Sequence, residues 1–429
     1  MTRRFHVSKR ATTEQDFQLP LHTQPVGSIK QLACVARMRP HAAERSRICD
    51  ELAAHPGADP VLDPAPSKYF SAADADALVR DGSARVVPVD EIFRRPTRGS
   101  CRAFTVIEEK QKSDGTFYSR RRPIHYSPEH NAFARSTYKP VLPLRHVGHY
   151  LPIALADYCA VIDLRCGFFQ IGLSDRAAEC NRWRDASGRL LEMRRRNMGS
   201  VEAVEACQLF TSVVAGDPSV VLPQFAAPAR VEVWVDGFMY FGSHDQVQRS
   251  LQLAKNNAEV LGFTFKEAVG DPIRRADFIG VCFDLEKHTV RVATKTRSKI
   301  PDVVPARMSA VQLEQLVGRL IFCSGVNQRP LVDYYLALKW AKRKCHALNV
   351  GALQPDDIVD IPTSALALLR RWAQDAVHVH KPRIIDSKAP FVLFTDATLE
   401  NWGAVLVSPA QEVFLSGGAP ASVHANTTT

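Results

Sequence analysis

The segment Val231-Glu-Val-Trp-Val-Asp-Gly-Phe-Met-Tyr-Phe241 constrains this chain more than any other, because apolar residues alternate on both sides of Asp236-Gly237. A period of two belongs to a strand, and an Asp-Gly pair between two such runs signals a tight turn. The segment therefore predicts a β-hairpin whose turn lifts Asp236 out of a sheet. Upstream, Val161-Ile-Asp-Leu-Arg-Cys-Gly-Phe-Phe-Gln-Ile171 begins as a short apolar strand that ends at Asp163. Two strands that end in carboxylates and lie side by side can hold a pair of divalent cations roughly 4 Å apart, one activating an attacking hydroxyl and one steadying a leaving oxygen. An Asp beside a Gly at a hairpin turn is by itself ordinary turn chemistry. Only the two segments together point to a metal site.

The chain has the length and apolar content for sizeable cores, 429 residues at 45% hydrophobic, which fits two or three domains. Its net charge of +10 suits a polyanionic partner. The ten Cys residues show no C-x-x-C pair and no Cys/His ligand spacing, so they read as reduced thiols of an intracellular protein, in cytoplasm or nucleus. No apolar stretch approaches the ~18 residues needed to span a bilayer. Met1-Thr-Arg-Arg-Phe has no apolar run behind it, and Glu14 and Asp16 argue against a transit peptide.

Residues 1 to 75 read as a basic extension, with His55-Pro-Gly-Ala-Asp-Pro-Val-Leu-Asp-Pro-Ala-Pro66 as an extended linker. Short strands follow over Ala84–Pro88, Ala103–Glu108 and Thr116–Ile124, the last two joined through Asp114-Gly115 as a hairpin. The return strand carries Arg120, Arg121 and Arg122, which are either a solvated basic face or a grip for phosphate. Met198-Gly199-Ser200 leads into a helix whose apolar residues recur at helical spacing to Val213, and a glycine there permits close backbone approach to a ligand. Arg194, Arg195 and Arg196 precede it and add positive charge suited to a phosphate backbone. Asp245–Leu261 predicts an amphipathic helix ending at Gly262, Phe263–Lys266 a strand, and Ala276–Leu285 a buried strand around Gly280. Residues 295 to 350 are basic and helical, with Tyr334-Tyr335 and Trp340 set among Lys and Arg. Near the C-terminus, Pro390-Phe-Val-Leu-Phe-Thr-Asp-Ala-Thr398 and Trp402-Gly-Ala-Val-Leu-Val407 form two further apolar strands.

In this order, over about residues 80 to 420, the segments resemble a retroelement reverse transcriptase of the LTR or tyrosine-recombinase retrotransposon kind, followed by the start of an RNase H domain. The resemblance implies an α+β fold: a right-hand polymerase with fingers, ferredoxin-like palm and helical thumb, then a truncated RNase H-like α/β segment. It sets fingers and palm at 76–290, thumb or connection at 291–385 and the incomplete RNase H-like part at 386–429. It also implies roles for the residues. Asp163 and Asp236 would be catalytic metal ligands, and Phe168 the sugar gate five residues past the first Asp. Arg121 and Arg122 would hold the triphosphate, with Gly199 supporting the nucleotide's sugar. Lys266 would protonate the departing pyrophosphate. Phe278 and Gly280 would grip the primer end, and Arg194, Arg195 and Arg196 would line the nucleic-acid backbone. Trp234-Val235-Asp236-Gly237 stands where the family has Tyr-x-Asp-Asp, so Gly237 removes one carboxylate. Asp396 matches the first RNase H metal carboxylate. Glu400 and Glu412 fall outside the family's positions and the later carboxylates do not follow, so Asp396 reads as an orphaned ligand and no RNA cleavage is expected.

The function implied is RNA-directed DNA synthesis with Mg2+ or Mn2+ as cofactor and an RNA template, a DNA primer, an RNA/DNA hybrid and dNTP as partners, with no membrane partner. Gly237 keeps a second reading open, a nucleic-acid-binding remnant without catalysis. Oligomeric state is not legible.

Overall fold

The computed structural model describes residues 28–54, 60–61, 70–99, 101–111, 116–139 and 144–382, together with the backbone of strands Val392–Ala397, Trp402–Val407 and Val413–Gly418. The Asp114-Gly115 turn, most of the Pro-rich stretch, Glu400, Glu412 and the side chain of Asp396 lie outside the described residues. The chain divides into two compact units, residues 1–381 and 382–429.

Among the described residues every strand pair is antiparallel, and helices pack against the sheets, so the fold is α+β. At the centre of the first unit lies a three-stranded sheet in which Gly237–Gly242 runs between Tyr158–Asp163 and Arg230–Trp234. Its middle strand is buried on both faces, and the period of two sends its residues to different cores. Phe238 and Tyr240 join Ile162, Val233, Val247 and Leu251, whereas Met239 and Phe241 join a core with Leu313 and Leu316. The helix Val201–Ala215 is buried almost all round. Beside it runs His244–Leu261, started by a capping box between Ser243 and Gln246 and stopped by Gly262 in the left-handed conformation.

Residues 28–54 are not an extension. They form helices Ser28–Arg37 and Pro40–Ala53, and Cys34, Met38 and Ala42 enter the core around Leu209, Phe210 and Val213. The Arg37 guanidinium donates to Asn257 Oδ1 at 2.7 Å, and its carbonyl accepts the Leu222 N–H at 2.9 Å. Their buried positions are four apart, a helical spacing that the surrounding Arg and Gln residues mask in the sequence.

Two expected strands also differ. Phe263–Lys266 provides one isolated bridge, Leu164 to Phe265, because the Gln170 side chain takes the neighbouring backbone groups. The Thr264 N–H donates to Gln170 Oε1 at 2.8 Å, and Gln170 Nε2 donates to the Thr264 carbonyl at 3.0 Å. The single strand expected over 276–285 is a hairpin, Arg275–Phe278 with Val281–Asp284, continued by Thr289–Val292. Its turn residues Ile279 and Gly280 both have positive φ, 45° and 83°, the pattern of a type I′ turn.

Beyond Thr289–Val292 the unit is mainly helical. Ala310–Val326, Tyr335–Asn349 and Thr363–Asp375 pack together, with Tyr334 and Trp372 stacked at 4.7 Å. The second unit contains a three-stranded antiparallel meander in which Asp396 is paired with Gly403. Among the described residues no helix is long and apolar enough to cross a membrane.

Candidate functional site

The central sheet brings the two Asp residues together. Asp163 ends its strand opposite Gly237, so Asp236, one residue earlier, stands at the hairpin turn beside it. The Leu164 N–H donates to the Asp236 carbonyl at 2.8 Å, tying the loop after Asp163 to that turn. Gly167 fits under Asp236 only without a side chain, since a Cβ there would lie 2.7 Å from the Asp236 Cβ. Burial and, next, the Asp163 charge push the Asp236 carboxyl above its ordinary range, while Arg122 and Arg120 pull it back. Lys266 donates its backbone N–H to the Asp163 carbonyl at 2.9 Å, and its Nζ stands 3.8 Å from Asp163 Oδ2. Both side chains are more than half exposed, so this is a weak ion pair that leaves the ammonium mobile.

The turn sits one residue earlier than the Asp-Gly pair predicts. Trp234 pairs with Gly237, which leaves Val235-Asp236 as the two-residue loop and puts Gly237 inside the strand. Val235 has φ 58° and Asp236 does not share the positive φ, the pattern of a type II′ turn, whose first loop residue is usually Gly. A β-branched residue held there costs about 1–3 kcal/mol. Gln208 meets this turn from the buried helix. Its Nε2 donates to the Val233 carbonyl at 2.9 Å, and its Oε1 accepts the Val235 N–H at 2.5 Å. Two such bonds at about 0.5–1.5 kcal/mol each offset a comparable amount. Sequence reasoning misses Gln208, and the available signal was a lone amide inside the apolar run Ala206-Cys207-Gln208-Leu209-Phe210.

Beside Asp236 opens a cavity of about 230 Å3, lined among others by Arg120, Arg122, Phe168, Met198 and Asp236 itself. Phe168 reaches it from a single 3-10 turn, Gly167–Gln170, entered through Cys166 at φ 50°. Arg122 lines it while paired to Glu108 at 3.0 Å. Arg121 also borders the cavity, but its guanidinium grips buried Asp74 with both arms, at 3.0 and 2.8 Å. Arg120 of the same run joins the lining, although the resemblance names only Arg121 and Arg122 for the triphosphate.

The close approach at Gly199 is the chain's own. At φ 132°, a Cβ would lie 2.0 Å from the His125 carbonyl oxygen, and the His125 N–H donates to the Met198 carbonyl at 3.0 Å. Asn131 adds a bond from Nδ2 to the Gly199 carbonyl at 2.8 Å. The basic hairpin is thereby fastened to the entry of the Val201–Ala215 helix.

The three Arg residues before that loop point away from solvent or into ion pairs. Arg195 is buried and donates to the Phe169 carbonyl at 2.9 Å, burial pulling its pKa below the usual range. Arg196 is buried against Asp50. Arg194, partly exposed, pairs with Asp175 at 3.0 Å and Glu192 at 3.3 Å. A run of Arg reads as a charged face; here two of its members face inward because the N-terminal helices and the loop after Asp163 cover them. Phe278 is buried in the core, and Gly280 lies against Phe322 of the Ala310–Val326 helix, where a Cβ would meet the ring at 3.1 Å.

Among the described residues no three His, Cys, Asp or Glu groups converge on a metal position. The donor set is therefore the carboxylate pair. All-oxygen ligation by one or two carboxylates, completed by substrate phosphates and water, is how Mg2+ is commonly held. A cation would also offset the burial and the Asp163 repulsion that together raise Asp236. The residues fit such an ion.

No family model and no curated protein matches the sequence. Solved structures do match. The foamy viral protease-reverse transcriptase dRH in complex with double-stranded DNA is similar over 97% of this chain and 70% of that one, with a TM-score of 0.51 and 12% identity. The foamy viral protease-reverse transcriptase with double-stranded DNA gives 0.51 and 12%, over 94% and 82% of the two chains. The same protein with an RNA/DNA hybrid gives 0.52 and 12%; there 95% of this chain covers 54% of the other. At this identity the likeness is one of fold: the chain has a fold resembling reverse transcriptase structures.

Proposed function

We propose that the chain is an RNA-directed DNA polymerase of a retrotransposon, of the LTR or tyrosine-recombinase kind. The observation that carries the reading is Asp163 set beside Asp236, which itself lines an Arg-bordered cavity, within a fold that resembles reverse transcriptases. On this reading residues 76–290 act as fingers and palm, 291–385 as thumb or connection, and 386–429 as an RNase H-like segment. The partners are an RNA template, a DNA primer and dNTP, in keeping with the double-stranded DNA and RNA/DNA hybrid held by the foamy viral proteins and with the net charge of +10.

The chain's own residues divide the work. Asp163 and Asp236 would hold Mg2+ or Mn2+, which when bound supplies the charge that activates a primer 3'-hydroxyl and steadies phosphate oxygens. Arg122 and Arg120 border the cavity where a triphosphate would lie. Phe168 forms a wall there that would meet a ribose 2'-hydroxyl. Lys266, with its ammonium 3.8 Å from Asp163, stands near the reacting end and can deliver a proton to departing pyrophosphate.

Gly237 favours one competing reading, a nucleic-acid-binding remnant without catalysis. Primer extension on an RNA template, with Asp163→Ala as control, separates them. Incorporation by the unaltered chain that the variant abolishes supports the polymerase. Retention of duplex binding with no incorporation in either Mg2+ or Mn2+ supports the remnant.

A further inference from the structure

We infer that Gln208 is a positioning residue that holds the Val235 turn in its left-handed conformation and so fixes Asp236 beside Asp163. The activity arm of this inference rests on the polymerase reading; the structural arm does not. Val235 and Asp236 form a two-residue loop whose first member has φ 58°, a conformation that a β-branched side chain disfavours. Nothing in Val235 itself selects that state. The Gln208 amide does, because it bridges the strand and the loop, donating to the Val233 carbonyl and accepting the Val235 N–H. Among the described residues Arg230–Trp234 is an edge strand paired on one side, so no ladder on its other side takes up the Val233 carbonyl, and the Val235 N–H lies in the loop just beyond the ladder.

Gln208 is itself almost wholly buried, in a helix rigid enough to serve as a mould for the turn. A left-to-right flip of Val235 would break the bond from its N–H and swing Asp236 off the position that Gly167 and Leu164 fit. The amide therefore acts on the carboxylate through backbone geometry, and it touches neither substrate nor reacting atoms.

The test combines Gln208→Met, which keeps length and loses both bonds, with Val235→Gly, which accepts positive φ without help. In Gln208→Met, amide exchange within residues 233–237 speeds up about tenfold or more while the rest of the helix and hairpin is unchanged. Its kcat falls about tenfold to a hundredfold with little change in KM for dNTP. Adding Val235→Gly restores kcat to within about threefold, the strain having been removed, and leaves exchange fast. Gln208→Glu keeps the acceptor for the Val235 N–H, so exchange at that amide stays slow. The inference is overturned by unchanged exchange at 233–237, by a uniform speed-up across Val201–Ala215, by Gln208→Glu exchanging as fast as Gln208→Met, or by no recovery of kcat on adding Val235→Gly. Should the unaltered chain incorporate nothing, the polymerase reading fails, and the exchange measurements alone decide the role of Gln208.

Discussion

Asp163 faces Gly237 across the central strand pair, and a Cβ on Gly237 would stand 2.7 Å from Asp163 Oδ1. The Asp163 carboxylate thus leans over the space that a second turn carboxylate would need.

Gly237→Asp should therefore make the fold more dependent on a divalent cation. Without one, the new charge joins a pair in which Asp236 is already raised by burial and by its neighbour, and Asp163 must also shift. The expected result is a melting temperature about 1–2 °C lower in chelator, equivalent to about 1 kcal/mol, and a larger rise on adding Mg2+ than the unaltered chain shows. Equal Mg2+ responses in the two proteins would show that position 237 does not reach the cation.

Asp236→Asn should stabilise the chain near neutral pH. The folded-state pKa of Asp236 is raised, so the native chain keeps this proton longer than the unfolded one, and the associated stability is full below the ordinary carboxylate pKa and is lost as pH rises through the raised value. The amide removes that loss. Urea unfolding of both proteins at about pH 7 and about pH 4 should show a gain that shrinks toward acid, with primer extension abolished throughout.

Gly199→Ala should unfold the junction between the basic hairpin and the buried helix. At φ 132° with the His125 oxygen 2.0 Å from the added carbon, the backbone must separate, breaking the bond from the His125 N–H to the Met198 carbonyl. A loss of about 3 kcal/mol or more is expected in denaturant unfolding. A loss under about 1 kcal/mol would mean that the hairpin is not held there.

Arg121 and Arg122, adjacent in sequence, should separate by assay. Arg121→Ala strands the buried Asp74 carboxylate and should cost about 3 kcal/mol of stability. Arg122→Ala breaks a partly exposed pair with Glu108, so stability should move by less than about 1 kcal/mol, while the KM for dNTP rises. Opposite assignments in the two measurements would place the nucleotide on the other guanidinium.

What the sequence made legible was whatever repeats with one period. The strands around Asp163 and Asp236 and the helix His244–Leu261 declare themselves by alternation or by a capped apolar stripe. The register is less legible, because Asp236-Gly237 and Val235-Asp236 both make plausible turns and only pairing of Trp234 with Gly237 decides. Burial of charge escapes a linear reading altogether: Arg195 and Arg196 look like Arg194, yet helices far away in sequence cover the first two. Gln208 is illegible for a related reason, its partners Val233 and Val235 lying 25 and 27 residues later in a strand and its turn.

A three-stranded sheet ordinarily presents two open flanks to other molecules. Here the Tyr158–Asp163 flank is taken up, since Cys159 exchanges both backbone bonds with Ile273 at 2.8 Å and the Asp163 carbonyl accepts from Lys266. No foreign strand can zip onto that flank while those bonds hold. The segment that carries the first carboxylate is thus shielded from intermolecular β-pairing, and a variant that loosened residues 264–273 would be expected to precipitate before it lost its core.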